Sequence, residues 1–400
     1  MSETQSKIVK NQKPRFSKPN KQRVSTKRQK QQKMLDPQLF VKDAAPIKER
    51  SFLATRKIID LPVNEKIIAN LLKKKYEILT EIQDKTIDFI LDGRNLMGLA
   101  QTGTGKTGAF LIPLIHNLME QRAANQVLIV APTRELAVQT NDEFKSMAVG
   151  LNMASICLIG GTNVATDVRK LHQPHHFVIG TPGRLMDLTR QGALKLNQFK
   201  VIILDEFDRL LDMGFWRDIE FIIERMKNRQ QTILFSATEE RDQKPKIQKL
   251  LQNPVEIRTI AENRSADTVD QQIVSVANGE KKIDVLLSMV RNNEFEKVLV
   301  FAETKRWVSR ICKDLRRGGI NVDEIHGNKS QNYRLKALES FKNKKIQVLV
   351  ATDVAARGLD ISHVSHVINY QQPKDLDSYI HRIGRTGRAG QSGKAITFIN

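Results

Sequence analysis

The stretch Ala100-Gln-Thr-Gly-Thr-Gly-Lys-Thr107 follows a short apolar run, Asn95–Leu99, and precedes a helical pattern over Gly108–Glu120. A strand, a glycine-rich turn and a helix in that order form the context of a phosphate-binding P-loop. Gly103 and Gly105 allow backbone N–H groups to converge on phosphate oxygens at a helix N-terminus. Lys106 has the reach for the β- and γ-phosphates of a nucleotide, and the Thr107 hydroxyl is the type that ligates Mg²⁺. The strict pattern begins with glycine where this chain has Ala100, but the turn depends mainly on the later glycines. A plain flexible Gly/Thr turn is the competing reading, and the strand–helix context disfavours it.

A P-loop needs an acid at the end of a neighbouring strand. Val201-Ile-Ile-Leu-Asp-Glu-Phe-Asp208 supplies one, an apolar run ending in two carboxylates. Asp205 is expected to hold Mg²⁺ together with Thr107, and Glu206 to orient and deprotonate the attacking water. Strand-end acids often do no more than solvate a loop; their position after a buried run argues for chemistry.

Working outward, short β-branched runs alternate with amphipathic stretches. Gln126–Val130, Ser155–Ile159, Phe177–Ile179, Val201–Leu204 and Thr232–Phe235 read as further strands, with helices over Arg134–Ala148, Gly183–Arg190 and Phe215–Met226. That alternation predicts an α/β fold whose parallel sheet carries helices on both faces. A polar stretch around 258–270 reads as a linker. A second series follows: Gln272–Val276, Val298–Phe301, Val322–Ile325, Gln347–Val350, His366–Asn369 and Ala395–Ile399. The expected organisation is a basic tail over 1–50, one α/β domain over 51–257, a linker over 258–270 and a second α/β domain over 271–400.

The 400 residues are 40% hydrophobic and 27% charged, with a formal net charge of +21. Nucleic acid and an acidic membrane surface are the polyanions that such a charge suggests. Residues 1–33 hold 11 of the Lys and Arg residues against one acid, so this segment accounts for about half of the excess. It has few large apolar residues and is expected to be disordered, either a phosphate-binding arm or a solubilising tail. Cys157 and Cys312 lack disulfide or metal spacing and fit a reducing, cytoplasmic setting. No apolar run approaches the ~18 residues that span a bilayer. His172, His175 and His176 read as a solvated loop, and Trp216 and Trp307 as packing residues.

With these features in place, the chain from about Phe52 to Asn400 resembles the DEAD-box family of RNA helicases. The resemblance rests on Pro132-Thr-Arg-Glu-Leu-Ala137, Gly160-Gly161, Thr181-Pro-Gly-Arg184, Asp205-Glu-Phe-Asp208 and Ser236-Ala-Thr238. In the second half it rests on Phe301–Thr304, His326-Gly327, Gln331–Arg334, Ala351–Asp360 and His381-Arg-Ile-Gly-Arg-Thr-Gly-Arg388. It implies two tandem RecA-like domains that close around ATP, Mg²⁺ and RNA. Gln83, Ala100, Gln101, Thr102, Gly103, Thr104, Gly105, Lys106, Thr107 and Asp360 would contact the nucleotide. Arg385 and Arg388 would be catalytic arginines completing the site from the second domain, with a plain RNA-phosphate contact as the alternative for either one. His381 and Arg382 would share that interdomain face. Ser236 and Thr238 would couple hydrolysis to unwinding by bonding Asp208. By the same resemblance RNA would touch Thr133, Arg134, Gly161, Thr181, Gly183 and Arg184 in the first domain, and Thr304, Gly327, Gln331, Arg334 and Thr352 in the second. Such contacts read sugar and phosphate rather than bases. Aromatic residues are only 6% of the chain, which argues against base stacking as the main mode of binding.

The chain departs from the family pattern in three places. Phe207 stands where alanine is usual and is expected to point into the domain. Leu79 and Glu81 replace prolines near Gln83, and Ile58 falls where an adenine-stacking aromatic belongs, with Phe52 as a substitute. The sequence also stops at Asn400 inside an expected last strand, as a truncated or minimal member would. The leading expectation is an ATP-dependent RNA helicase acting as a monomer on short duplexes or RNA–protein complexes. An ATP-gated RNA clamp, a DNA translocase and a non-enzymatic adaptor are the alternatives. The adaptor is disfavoured because Lys106, Asp205, Glu206, Arg385 and Arg388 are all present.

Overall fold

The structure, a computed structural model, describes residues 35–43, 53–101, 103–120, 126–239, 243–259, 269–277, 279–356, 364–387 and 393–399. A two-stranded ribbon comes first, β1 (Leu53–Lys57) antiparallel to β2 (Ile78–Thr80). The first lobe continues with β3 (Leu96–Leu99), β4 (Gln126–Val130), β5 (Ser155–Leu158), β6 (Phe177–Gly180), β7 (Phe199–Leu204), β8 (Gln231–Ser236) and β9 (Val255–Arg258). Among the described residues these last seven form one parallel sheet in the order β5-β6-β4-β7-β8-β3-β9. The second lobe holds β10 (Val269–Ser275), β11 (Val298–Phe301), β12 (Val322–Ile325), β13 (Val348–Ala351), β14 (His366–Asn369) and β15 (Gly393–Ile399). They form a parallel sheet in the order β10-β15-β14-β11-β13-β12. The two-sheet α/β architecture is the expected one.

Both sheets bury apolar residues on each face. In the first lobe, Val127 and Ile129 of β4 enter one core cluster while Leu128 and Val130 enter the other. In the second lobe, Val298 and Val300 of β11 point to one cluster and Leu299 and Phe301 to its opposite. Period-two alternation of this kind, apolar on both sides, is what a strand covered by helices on both faces requires.

The domain boundaries shift in two places. The linker expected over 258–270 begins later, because β9 pairs with β3 and Thr259 donates its N–H to the Leu99 carbonyl at 3.0 Å. It also ends earlier, because β10 starts at Val269. Composition had blurred both strands, since β9 alternates exposed and half-buried residues at a sheet edge. The tail expected over 1–50 contains structure as well. Residues 35–43 include a short 3₁₀ turn, Pro37–Phe40, and Phe40 is fully buried.

Because the strands are parallel, their carboxyl ends lie along one edge of each sheet, where open α/β sheets bind ligands. The P-loop follows β3, Thr133 follows β4, Thr181 follows β6, Asp205 follows β7, and Ser236 ends β8. In the second lobe Thr304 follows β11, Gly327 follows β12, Thr352 follows β13, and Asn369 ends β14.

Candidate active site and nucleic-acid interface

Gly105 sits at φ 93°, and a Cβ there would lie 2.7 Å from the Gln83 side-chain nitrogen and 2.8 Å from Thr80 Oγ1. Only glycine therefore permits both the left-handed turn and the close approach. Gln83 Nε2 donates to the Gly105 carbonyl at 3.0 Å, and Gln83 Oε1 accepts from the Thr80 N–H at 3.0 Å. The amide that the resemblance assigns to nucleotide thus also braces the loop. Ala100 is buried, and Lys106 Nζ donates to its carbonyl at 2.9 Å. The Thr104 hydroxyl donates to the Gln101 carbonyl at 2.8 Å, closing the turn on itself. Thr107 lies in the first turn of the helix Lys106–Glu120.

The acid site grows out of a strained turn. Glu206 has φ 49°, a left-handed conformation that costs a non-glycine residue free energy and recurs at functional sites. It turns the chain sharply from β7 into the helix Phe207–Asp212. Asp205 is buried, and its carboxyl is pushed up to about 6 by burial, against the pull of nearby Lys106. Its Oδ1 accepts the Glu206 N–H at 3.0 Å. The Glu206 carboxylate accepts from Arg209 at 2.5 Å, a buried pair not foreseen from the sequence. The i,i+3 spacing on a short helix was the available signal.

Asp208 is bonded to both Ser236 and Thr238. Its Oδ2 accepts from the Ala237 N–H, the Thr238 N–H and the Thr238 hydroxyl, each at 3.2 Å. The Asp208 N–H donates to Ser236 Oγ at 3.3 Å, and Ser236 Oγ donates to the Thr238 carbonyl at 2.7 Å. Phe207 is fully buried in the first-lobe core, so the unusual residue in the acidic motif packs and does not face the cleft. Ile58 is buried in the core behind the ribbon and cannot serve as an adenine-stacking position. Thr102, Asp360, Arg388 and Phe52 lie outside the described residues.

The expected RNA-contact residues fall into two kinds. Thr133 and Thr304 cap the helices Arg134–Met147 and Lys305–Arg317, accepting backbone N–H groups at 3.2 and 3.3 Å. A threonine hydroxyl used in that way keeps its own proton to donate outward. Thr181 stands at the start of the helix Pro182–Arg190 without a side-chain capping bond, and Gly183 lies in the first turn of that helix. Gly161, at φ 83°, lets the Arg134 guanidinium lie against the backbone, since a Cβ there would be 2.5 Å from Arg134 Nη1. Gly327 is exposed, and Thr352 is half-buried after β13.

Other members of the set are tied to protein. Arg184 is buried and pairs with Asp167, and it also donates to the Thr162 carbonyl at 2.8 Å. It holds the Gly160–Thr162 turn in place. Gln331 Nε2 donates to Glu135 at 3.1 Å, and Arg334 pairs with the same Oε1 at 2.8 Å. Glu135, buried in the first lobe, therefore bridges to the second. Its partners stand 196 and 199 positions away, so no local pattern could have found them.

In the second lobe, Arg382 is buried and grips Asp353 through two bonds of 2.6 and 2.8 Å. It also reaches the Asn369 side chain and the Gln371 carbonyl, both at 3.0 Å. Phe301, Asp353, Ala356, Ser378, His381, Arg382 and Arg385 line one small cleft. Arg385 is itself buried there. Trp307, expected to be a packing residue, is 36% exposed, with Arg310 over its ring at 5.3 Å and Tyr370 6.1 Å away. Among the described residues no group of three or more His, Cys, Asp or Glu side chains could hold a metal ion.

A P-loop lysine and a strand-end acid pair in one parallel-sheet lobe, joined by side chains to a second lobe bearing buried arginines, define a two-lobed P-loop motor protein. Comparison with known proteins narrows this. The model of the DEAD/DEAH box helicase family matches residues 80–245, and that of the helicase conserved C-terminal domain matches residues 281–390. The DEAD-box ATP-dependent RNA helicase CshA of Geobacillus kaustophilus is 39% identical over 340 residues, covering 85% of this chain and 73% of that protein. The ATP-dependent RNA helicase CshA of Listeria monocytogenes is 42% identical over 86% of this chain and 66% of its own length. The chain thus spans about two thirds of the length of such relatives. A structure of the DEAD-box helicase Mss116 bound to ssRNA and UDP-BeF superposes with a TM-score of 0.77 at 31% identity, covering 87% of this chain and 76% of that one. Dbp5 of S. cerevisiae bound to RNA and ADP BeF3 gives a TM-score of 0.75 at 29% identity, covering 86% and 90%. The chain belongs to the DEAD-box family of ATP-dependent RNA helicases, and its fold is the tandem RecA-like pair of that family. No helix among the described residues is long and apolar enough to cross a membrane.

Proposed function

We propose that this chain hydrolyses ATP to ADP and phosphate when it binds RNA, and uses the cycle to separate short duplexes or remodel RNA–protein complexes. The observation that carries the reading is the joining of three elements at one sheet edge. Lys106 acts on the buried Asp205 electrostatically, Asp205 adjoins Glu206, and Asp208 is bonded to Ser236 and Thr238. A site that links a phosphate grip to a second strand end in this way can pass the state of the nucleotide to neighbouring segments.

The donor set suits Mg²⁺, because a carboxylate and a hydroxyl are hard oxygen ligands and a cation would offset the desolvation that raises the Asp205 carboxyl. Asp205 and Thr107 would hold it. Bound with ATP, the ion would draw charge off the β- and γ-phosphate oxygens. Lys106 would leave the Ala100 carbonyl for those same oxygens. Glu206 would take the proton of the attacking water as the γ-phosphorus–oxygen bond to ADP breaks, with Arg209 holding the carboxylate in its rotamer until then. Arg385 and Arg388 would stabilise charge on the transferring phosphoryl group from the second lobe, and Asp360 would touch the nucleotide. RNA would lie along Thr133, Arg134, Gly161, Thr181, Gly183, Thr304, Gly327 and Thr352. Arg184, Gln331 and Arg334 would shape that track from the protein side. A cytoplasmic setting fits the two free thiols.

Turnover of ATP and GTP, each measured with and without single-stranded RNA, tests the reading. ATP hydrolysis that rises at least about tenfold with RNA is expected, given that closure must bring the arginines in. RNA-independent hydrolysis at the full rate would remove the proposal.

A further inference from the structure

Residues 35–43 precede the first lobe in sequence, yet they dock on the second. Asp36 caps the turn Pro37–Phe40 by accepting the Gln38 N–H at 3.0 Å. The turn leaves Leu39 and Val41 exposed and drives Phe40 inward to zero exposure. Two backbone hydrogen bonds then add Lys42 to the outer edge of β10: Lys42 N–H to the Gln271 carbonyl at 3.1 Å, and Gln271 N–H to the Lys42 carbonyl at 2.8 Å. An edge strand with open backbone groups is thereby partly covered.

Phe40 completes a buried cluster with Val269, Tyr379, Ile383 and Ala395. Its ring centroid is 4.7 Å from that of Tyr379, tilted by 60°. The Tyr379 hydroxyl donates to Gln271 Oε1 at 2.9 Å, so the ring and the edge strand are fixed together. Tyr379 and Ile383, four apart on one face, belong to the helix Leu376–Ile383. That helix also carries Arg382, and Arg385 follows it directly. It is held from the cleft side by Arg382 on Asp353 and from the far side by Phe40 against Tyr379 and Ile383.

We infer that Phe40 is a positioning residue for the second lobe's arginines: the strap 35–43 backs the helix that presents Arg385 to the nucleotide. Without the ring, the far face of that helix loses its largest aromatic neighbour and borders a cavity, into which the helix relaxes in part. A shift of about 1 Å in a charge-stabilising group is enough to cost much of its effect. The inference rests on the proposed catalytic role of Arg385.

The test uses the full chain with Phe40→Leu, Phe40→Val and Phe40→Ala, Arg385→Ala, and the double variant Phe40→Ala/Arg385→Ala. RNA-saturated kcat, KM for ATP and hydrogen exchange over 376–387 are measured well below the melting temperature. Phe40→Ala should lower kcat about tenfold while KM for ATP changes less than about twofold, the mark of an interaction realised in the transition state. Exchange over 376–387 should rise, and Phe40→Leu should restore most of kcat. In the Arg385→Ala background, Phe40→Ala should have little further effect on kcat, because residues acting through one another do not add. A kcat unchanged across the Phe40 series, or losses that multiply fully in the double variant, would reduce the strap to a stabilising element and overturn the inference. If Phe40→Ala does not fold, a kcat that falls stepwise from Leu to Val decides the matter in the same way. Unaltered turnover in Arg385→Ala alone would remove the catalytic role of that arginine, and the strap's role with it.

Discussion

The two lobes share an architecture but hold their working side chains differently. In the first, the P-loop lysine and the acidic motif are bonded within a few residues of themselves or across adjacent strand ends: Lys106 to Ala100, Glu206 to Arg209, Asp208 to Ser236 and Thr238. In the second, the groups are held over long separations. Arg382 reaches back to Asp353, Gln331 and Arg334 cross to Glu135, and Tyr379 leans on Phe40. A site built from local turns keeps its shape with its own lobe. A site built from distant partners depends on how the lobes and the strap come together. This difference suits a motor in which one lobe grips the nucleotide and the other decides when it reacts.

The comparison is most easily broken at Glu206. Glu206→Gln keeps the turn but removes the proposed base, and should lower RNA-saturated hydrolysis by at least about a hundredfold. Single-turnover kinetics measure it, and a rate within threefold of the unmodified chain would show that the first lobe's strained turn is not the catalytic one. Next in size is Arg382→Ala, which leaves the half-buried Asp353 carboxylate without its cation and removes the bonds to Asn369 and Gln371. The second lobe should lose about 3 kcal/mol, the low end of the cost of breaking a buried pair, because the carboxylate left behind keeps contact with water. A denaturation midpoint that does not move would mean that Arg382 holds little together.

A smaller effect is expected from Glu135→Gln, which removes the charge bridging to Arg334. The RNA concentration for half-maximal stimulation should rise at least about tenfold, in line with roughly 1.5–3 kcal/mol for a charged hydrogen bond. Unfolding of the first lobe by denaturant should be less affected than RNA stimulation; the opposite ranking would place Glu135 in the core and not at the joint.

The smallest effect concerns acid. His366 is stacked on Phe295 at 4.0 Å, and burial brings its imidazole down to about 4, with Lys394 adding to the shift and Glu294 opposing it. An unfolded histidine titrates near about 6.5, so unfolding takes up a proton between those values. The stability this contributes is present above about 6.5 and lost as pH falls toward 4. Asp205 has the opposite sign: with its carboxyl raised to about 6, its effect on the fold is favourable in acid and lost as pH rises through that value. Acid melts of the chain and of His366→Phe should differ in slope below pH 6.5, and identical slopes would remove His366 from the account.

Particular elements show how far the sequence could be read. The bounds read for β4, β11, β12 and β14 are the observed ones; in β4 and β11 a continuous apolar run marks a strand covered on both faces, while β12, Val-Asp-Glu-Ile at the sheet edge, carries two acids between its apolar ends. β1, β2 and β9 escaped notice because their half-exposed residues carry no such run. The glycine and acid motifs were legible because a phosphate cradle and a strand-end carboxylate restrict residue type at fixed spacing. Arg209 was legible in principle, standing three residues from Glu206, but an arginine on a short helix is ordinarily solvated.

Sequence alone determined the alternation of strands and helices, the doubling of the α/β unit and the residue types at each strand end. These follow from local sterics and from which side chains water excludes. Only tertiary structure decided that Arg184 and Arg382 turn inward, that Glu135 joins the lobes, and that Phe40 belongs to the second lobe although it precedes the first. The reason is physical: a charge or a ring is stabilised by whatever lies within a few ångströms of it, and distance along the chain does not set distance in space.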